Sequence, residues 1–325
     1  FLALATLAYG GDSSQTLEQF AKACDEAIGV TVPDFDSDNG TEVPTTHFAN
    51  GRCDRPNVLN GICDPGSRFQ VLANTPDAYV VAHARKEGEP LGRYGDIAVI
   101  QHNKVNGATC FYQGALDLDH SGKVKAPSKG VGNPPFWMTP SAIANSTFPC
   151  IRCHDSGPII RSPYLTQITG VNKLPGAGDF GFNKDAPYAF VGSDFAHWKA
   201  YKVEVSGNIC ISCHRLGVNN VSSTGTARVL GLTATADMGT PEAQASKNPH
   251  SADSPIWMPP RQVTFSQHSF DQAKEIQRCA EQFGENLALP DSPTCKITLF
   301  ARAFEGARTT PSSFGAILEY LLESQ

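Results

Sequence analysis

Long apolar segments and clusters of positive charge are both missing from this chain of 325 residues. Its longest apolar run, from Phe1 to Tyr9, is much shorter than the about 20 residues that a membrane-spanning helix needs, so we predict no transmembrane segment. That run is either the end of a secretory signal or the first buried element of the fold. The net charge is −6 and no basic run is present, which makes nucleic acid and anionic membranes poor partners.

Repeats of solenoid length and the strand–helix alternation of a βαβ fold are also absent. The chain is 40% hydrophobic and 18% charged, a composition that is ordinary for a globular protein. Its length suffices for two domains, or one large one, around a real hydrophobic core. What the sequence contains in excess is cysteine, with 10 residues.

Six of the cysteines form an even set without CxxC spacing: Cys24, Cys53, Cys63, Cys110, Cys279 and Cys295. Such a set fits disulfide bonds and an oxidising compartment, and buried free thiols are the alternative. The pairs that we predict are Cys53–Cys63, Cys279–Cys295 and Cys24–Cys110. Disulfides of this kind indicate an exported protein, either periplasmic or secreted to the outside of the cell.

The first part of the chain combines one helical segment with several strand-like ones. Residues 14–29 repeat their apolar positions at helical spacing, with a cap at Ser13 or Ser14 and an end at Gly29. Strand patterns follow at residues 68–72, 78–84, 96–102 and 108–113. The Val-Asn-Gly sequence at residues 105–107 predicts a hairpin turn. We therefore predict a small antiparallel-sheet domain over residues 1–130.

From about residue 130 onward the composition changes, and Pro, Gly, Ser and Asn dominate. Helical periodicity returns at residues 270–283 and 312–323. We predict that residues 131–325 form a second domain that is loop-rich and mainly helical. The fold class predicted for the whole chain is α+β.

The remaining four cysteines belong to two copies of one short motif, CIRCH at residues 150–154 and CISCH at residues 210–214. A zinc ribbon also has two CxxC pairs, but they are about 15–20 residues apart, whereas Cys210 follows His154 by 56 positions. A thioredoxin-like pair would be single and close to a βαβ pattern. In covalent c-type haem, two thiols bond to the vinyl groups and the adjacent His ligates the iron. This pattern predicts haem at both motifs.

With these two motifs and their flanks, residues 150–216, the chain resembles the dihaem c-type cytochromes. The resemblance implies two covalently bound haem c groups and attachment outside the cytoplasm. Carried over to this sequence, it assigns cofactor-binding roles to Cys150, Cys153, His154, Cys210, Cys213 and His214. His154 and His214 would be the iron ligands.

The second iron ligands are predicted from a shared pattern around two methionines. Met138 in PFWMTP and Met258 in PIWMPP both lie in a P-x-W-M-x-P segment, and a proline-framed loop suits a thioether ligand. The alternative is that both loops only pack, because Met commonly fills irregular cores. His197 is the main competitor as a ligand. Further candidates are Met238, His250 and His268, while structural roles are expected for His47, His83 and His102.

An additional calcium site is suggested by an acidic segment. Asp117, Asp119 and Ser121 have the spacing of the first half of an EF-hand loop, but the twelfth position is Ser128 instead of the bidentate Glu. The segment at residues 34–40 is similar, with its Gly one position late. Solvated acidic turns are the alternative interpretation of both.

The function predicted from this resemblance is electron transfer between redox partners. The expected partner is a redox protein or another haem protein. A carrier does not need about 130 residues without a haem motif, so two alternatives stay open. One is a peroxidase-like dihaem oxidoreductase with an open or displaceable distal site, although the motifs of dihaem peroxidases lie farther apart. The other is a subunit of an extracellular haem assembly that associates with itself through haem edges. Whether the protein is an enzyme is left open.

Overall fold

The computed structural model describes residues 14–46, 53, 55, 57, 63–87, 93–115, 120–132, 134–162, 164–176, 184–208, 211, 215–221, 271–272, 275–276, 278–281, 283 and 294–305. Its α-helices are α1 (Leu17–Ile28), α2 (Pro140–Ala144) and α3 (Val218–Val221). Its strands are β1 (Phe35–Asp36), β2 (Thr41–Glu42), β3 (Arg68–Asn74), β4 (Ala78–Arg85), β5 (Arg93–Tyr94), β6 (Asp96–Asn103), β7 (Ala108–Gln113), β8 (His120–Ser121), β9 (Lys123–Val124), β10 (Ala189–Phe190), β11 (Ala200–Val205), β12 (Leu216–Gly217) and β13 (Cys295–Ala301). Short 3-10 turns connect them at Ser37–Asn39, Pro127–Lys129, Cys150–Arg152, Leu165–Gln167, Gly170–Asn172 and Ser193–Phe195.

Helix α1 forms where the periodicity predicted a helix, but its cap is a different residue. Thr16 is the N-cap, and it exchanges hydrogen bonds with Gln19 in a capping box. Gly29 ends the helix with a positive φ of 84°, a conformation that favours glycine. The apolar positions of the helix are buried: Leu17, Phe20, Ala21, Cys24 and Ile28.

A six-stranded sheet in the order β10-β7-β6-β4-β3-β2 is the centre of the fold. The four predicted strand segments correspond to β3, β4, β6 and β7, and they pair antiparallel. The predicted hairpin turn is confirmed, since the Gly107 amide donates to the Asn103 carbonyl at 2.9 Å. Gly107 is required there because a side chain would collide with the backbone of Pro187 and Tyr188, and because its φ is +81°.

Helix α1 covers one face of this sheet. Phe20 packs against Tyr112 with their ring centroids 5.3 Å apart. The Tyr112 hydroxyl donates to Gln101 Oε1 at 2.9 Å, and Gln101 Nε2 in turn donates to Asp25 Oδ1 at 3.0 Å. The apolar core is therefore built between α1 and the side chains that point toward it from β4, β6 and β7.

All three predicted disulfides are confirmed: Cys24–Cys110, Cys53–Cys63 and Cys279–Cys295. The first joins α1 to β7, and the last joins the helical residues near 279 to β13. These bonds are compatible with an exported protein. Within the described residues, none of the helices is long and apolar enough to cross a membrane.

The prediction of a mainly helical second domain is wrong. In the described residues beyond 130, strands β11, β12 and β13 form a separate antiparallel sheet, and β10 joins the central sheet. The described residues among 271–283 are helical as predicted and pack on β11, but α2 and α3 are very short. Strands form because β11 carries Tyr201, Val203 and Val205 at alternating positions and β13 is rich in β-branched and aromatic residues, which favour strands.

The domain boundary at residue 130 stays a prediction. Residues from both sides of it contribute to one core, since Ala189 and Phe190 of β10 pair in parallel with Ala108 and Thr109 of β7. The predicted helix at residues 312–323 and the apolar run at residues 1–9 lie outside the described residues.

Candidate functional site

A cavity of ≈ 230 Å³ lies on the face of the central sheet opposite α1. The sheet forms one wall of this cavity, and the chain from residue 143 to residue 165, which includes the first CxxCH motif, forms the other. The fold therefore places the motif on a buried apolar surface. A concave, mostly apolar space with a few polar groups is the usual form of a small-molecule site.

The register of the strands determines which side chains line the sheet wall. Phe69, His83, Ala98 and Gln113 are direct partners across β3, β4, β6 and β7, so they lie in one row on the same face. A second row is formed by Val71, Val81, Ile100 and Phe111. Nearly all of these residues line the cavity.

The motif wall begins with a tight turn. Cys150–Arg152 is a 3-10 turn that follows Pro149, and the amides of Cys153 and His154 both donate to the Cys150 carbonyl, at 3.1 and 2.9 Å. This turn places Cys150, Cys153 and His154 together on the cavity. Cys150 is a free thiol, whereas Cys24, Cys53, Cys63, Cys110, Cys279 and Cys295 are all in disulfides.

The imidazole of His154 is held in one orientation. Its Nδ1 lies 3.0 Å from the Pro158 carbonyl, which can only accept, so Nδ1 carries the proton. The Tyr188 hydroxyl donates to the His154 carbonyl at 2.7 Å, and the ring lies 5.3 Å from that of Phe111. Burial lowers the pKa of His154 to about 4, so the ring is neutral at neutral pH and Nε2 keeps its lone pair.

The thiol of Cys150 is not an activated nucleophile. Burial, with smaller contributions from Cys153 and Asp96, raises the pKa of Cys150 to about 12. Reactive cysteines have a lowered pKa, because the thiolate is the reacting form. Cys150 is therefore better suited to contacting or anchoring a bound group than to catalysing thiol–disulfide exchange.

The cavity also has one polar region, at the end of strands β4 and β6. Arg85 Nη1 forms an ion pair with Asp96 Oδ2, and Gln113 Nε2 donates to Asp96 Oδ1 at 2.5 Å. Asp96 is buried, with 4% of its surface exposed. His83, two positions before Arg85 on the same face of β4, is half-buried, and its ring lies 6.0 Å from that of Phe69 and 5.8 Å from that of Tyr164.

The predicted site residues are only partly brought together. Met138 lines the same cavity as Cys150, Cys153 and His154, held by a hydrogen bond from its amide to the Gln113 carbonyl at 2.9 Å. His197 is exposed on the surface and is not among the residues that line the cavity. Other predicted residues lie outside the described residues: Cys210, Cys213, His214, Met258, Met238, His47, His250 and His268.

The chain directly after the first motif is tied to the chain directly after the second. Arg215 donates from Nε to the Ser156 carbonyl at 2.5 Å, and the Gly217 amide donates to Ser156 Oγ at 2.8 Å. The Asn219 amide donates to Asp155 Oδ2 at 2.6 Å, and Asp155 is almost completely buried. These contacts fix the end of the turn that carries His154.

We expect Gly217→Ala to destabilise the protein by about 1–3 kcal/mol, because a buried carboxylate would lose its hydrogen bonds. A β-carbon at position 217 would overlap the Asp155 carboxylate and push it away from the Asn219 amide. Urea unfolding of Gly217→Ala, Asp155→Ala and the double variant measures this coupling. Asp155→Ala removes the overlapping group, so the double variant should lose less stability than the sum of the two single variants. Strict additivity would contradict the expected overlap.

The identification as a dihaem c-type cytochrome is corrected by the structure. The described residues contain no group of three or more His, Cys, Asp or Glu side chains that could hold a metal ion. Their sheet-rich fold is also unlike that of a dihaem cytochrome. The two predicted haem c groups, and the haem and metal roles derived from them, are therefore not retained.

The described residues also contain no group of side chains that could hold calcium. Asp117 and Asp119 lie outside the described residues. In the similar segment at residues 34–40, Asp34 pairs with Lys125 and Lys129, and Asp38 accepts from the Tyr94 hydroxyl at 2.6 Å. These acidic groups thus pair with other side chains of the same chain. This agrees with the alternative interpretation of the segment as an acidic turn.

Comparison of the chain with protein-family models, with curated proteins and with solved structures finds no match. The function is therefore argued from the cavity alone.

Sequence reasoning missed the contribution of the first part of the chain to this site. His83 was expected to be structural, and Arg85 and Asp96 were not considered. The available signal was that β4 and β6 carry these polar residues at positions of the same parity as Val81 and Ile100. Polar residues on a face that alternation marks as buried indicate a site or a buried ion pair.

Proposed function

We propose that this protein is an exported electron-transfer protein and that the cavity holds the organic group that carries the electrons. The observation that carries the proposal is the cavity wall itself, where Cys150, Cys153 and the neutral imidazole of His154 face an apolar space. A small apolar organic group suits such a space. The disulfides found elsewhere support function in an oxidising compartment.

The position of the cavity supports exchange of electrons with a partner. Phe148 lines the cavity and is 44% exposed, and its ring lies 5.0 Å from the Arg152 guanidinium. This edge of the cavity therefore reaches the surface, next to Cys150. A group bound there would be shielded by protein on most sides but close to a docking protein at this edge.

The experiment is to purify the exported chain and measure its intact mass, its visible absorption and its response to dithionite. We expect a bound group that absorbs above 300 nm, as conjugated redox groups of about this size do, and that is reversibly reduced. Peptide mapping of residues 148–161 then shows whether the group is bonded to Cys150 or Cys153. A polypeptide that has no added mass, no visible absorption and no reducible group would contradict the proposal.

Two variants test whether this cavity is the binding place. Cys150→Ala with Cys153→Ala should abolish or strongly reduce retention of the group, because both thiols face it. Ala98→Phe should also reduce retention, since a phenyl ring at Ala98 would fill the cavity from the sheet wall. Cys53→Ala with Cys63→Ala is the matched control, because it removes two cysteines outside the residues that line the cavity. Equal retention in all of these variants would place the group elsewhere.

A further inference from the structure

Two buried nitrogen atoms at the polar end of the cavity have no hydrogen-bond partner among the described residues. They are Nε2 of His83 and Nε of Arg85. Both side chains line the cavity and lie two positions apart on the same face of β4. A buried polar atom without a partner costs about 1–3 kcal/mol, so its persistence at a cavity indicates that a ligand supplies the missing partner.

The surrounding charges define what that partner is. The positive charge of Arg85 is already compensated by Asp96, whose two oxygens accept from Arg85 and from Gln113. Asp96, Arg85, His83 and His154 are the ionisable groups of the two walls besides the thiols, Tyr112 and Tyr164. Burial keeps His83 neutral, because desolvation lowers its pKa well below the usual value. The cavity is thus close to electrical neutrality before any ligand enters.

A ligand with a full negative charge would bring an uncompensated charge into this apolar space, which is strongly unfavourable. A neutral oxygen acceptor accepts the same hydrogen bonds without that cost. The rings of Phe69, Phe111, Tyr164 and Phe148 line the rest of the cavity and favour a flat aromatic body.

We propose that the ligand of this cavity is a neutral aromatic carbonyl compound of the quinone class, whose oxygen accepts hydrogen bonds from Arg85 Nε and His83 Nε2. This inference rests on the proposed function, since it names the chemical class of the group that the cavity holds. The aromatic body lies between the sheet and the motif wall, and the carbonyl points to the end of β4. The polar end of the cavity then sets the orientation of the ligand, and the apolar walls provide its binding affinity.

The test compares three probes on the purified, ligand-free chain: 2,3-dimethyl-1,4-naphthoquinone, 2,3-dimethylnaphthalene and 2-naphthoate. The fully substituted quinone is chosen because it has no free ring position next to the carbonyls for a thiol to attack. We expect the quinone to bind about tenfold or more tightly than the hydrocarbon, which has the same body without acceptors. The naphthoate should bind more weakly than the quinone.

Arg85→Lys removes the Nε donor and keeps a positive charge beside Asp96. We expect it to weaken quinone binding about tenfold and to leave hydrocarbon binding unchanged. His83→Phe removes the second nitrogen while keeping an aromatic ring between Phe69 and Tyr164. It should also weaken quinone binding and leave hydrocarbon binding unchanged. Arg302→Lys, at an exposed arginine that pairs with Glu305, is the matched control and should change neither affinity.

Each outcome distinguishes the two proposals. Equal binding of quinone and hydrocarbon, or an equal loss of both in Arg85→Lys, overturns the assignment of the polar end but leaves the cavity as a binding place. Tightest binding of 2-naphthoate overturns the neutral acceptor in favour of an anion. Binding of none of the three probes by the wild-type chain overturns the cavity's binding role and the inference with it.

Discussion

Arg85→Met is expected to lower the free energy of unfolding by about 3–5 kcal/mol, the range observed when one partner of a buried ion pair is removed. Only 17% of the Arg85 side chain and 6% of the Asp96 side chain are exposed, so water does not replace the lost guanidinium. Asp96 would remain buried, with Gln113 as its hydrogen-bond donor. Urea unfolding of the variant, followed by circular dichroism, measures the loss.

The double variant Arg85→Met with Asp96→Leu separates two effects on the free energy of unfolding. One is the cost of the unpaired Asp96 carboxylate, and the other is the contribution of the ion pair itself. Replacing both members of a buried pair by apolar residues is often close to neutral, so most of the stability should return. If the double variant is as unstable as Arg85→Met, the loss reflects packing and not an unpaired carboxylate.

Much of the first part of the fold was predictable from local patterns. Helix α1 has a regular apolar stripe, and β4 and β6 carry long runs of β-branched and aromatic residues with hairpin-type connections. Disulfide pairing was predictable for a related reason. Cys24 lies on the apolar stripe of α1, so it had to face the sheet that carries Cys110.

The second part was not predictable in the same way, because its structure depends on distant partners. β10 has two residues, and its backbone pairs with β7 on one side and with residues 302–304 on the other. β11 pairs with β13, which follows about 90 residues later, and no local signal indicates such a pairing. The many Gly and Pro residues predict loops between helices, whereas the described residues beyond 130 contain mainly short strands and 3-10 turns.

The site shows the same division between local and distant information. The motif at residues 150–154 was predicted as a cluster of functional side chains, and the structure places Cys150, Cys153 and His154 on one cavity. What surrounds it came from strands that are about 40–85 residues earlier in the chain, including Phe69 and Phe111. The spacing of the motif predicts that its two cysteines and its histidine lie close together. It contains no information about the sheet wall of the cavity that these residues face.

Removal of the Cys24–Cys110 disulfide is expected to cost about 4–5 kcal/mol, the largest effect predicted here, because the bond closes a loop of 86 residues in the unfolded chain. The variant is Cys24→Ala with Cys110→Ala, measured by urea unfolding under non-reducing conditions. Both cysteines are buried between α1 and β7, and the helix is also held by Phe20 and by the contacts of Gln101. Hydrogen exchange should therefore show α1 as the first element to lose protection.

The Cys53–Cys63 disulfide provides the matched comparison, because it closes a loop of only 10 residues. In the same chain-entropy treatment its removal should cost about 3 kcal/mol, so the two double-alanine variants should differ by about 1–2 kcal/mol. The comparison also separates loop entropy from local packing, since both variants remove one bond and two sulfur atoms. If the short loop proves to be the more important one, the entropy argument is incorrect for this protein. The apolar stripe of α1 would then hold the helix on the sheet, and the Cys24–Cys110 disulfide would contribute little.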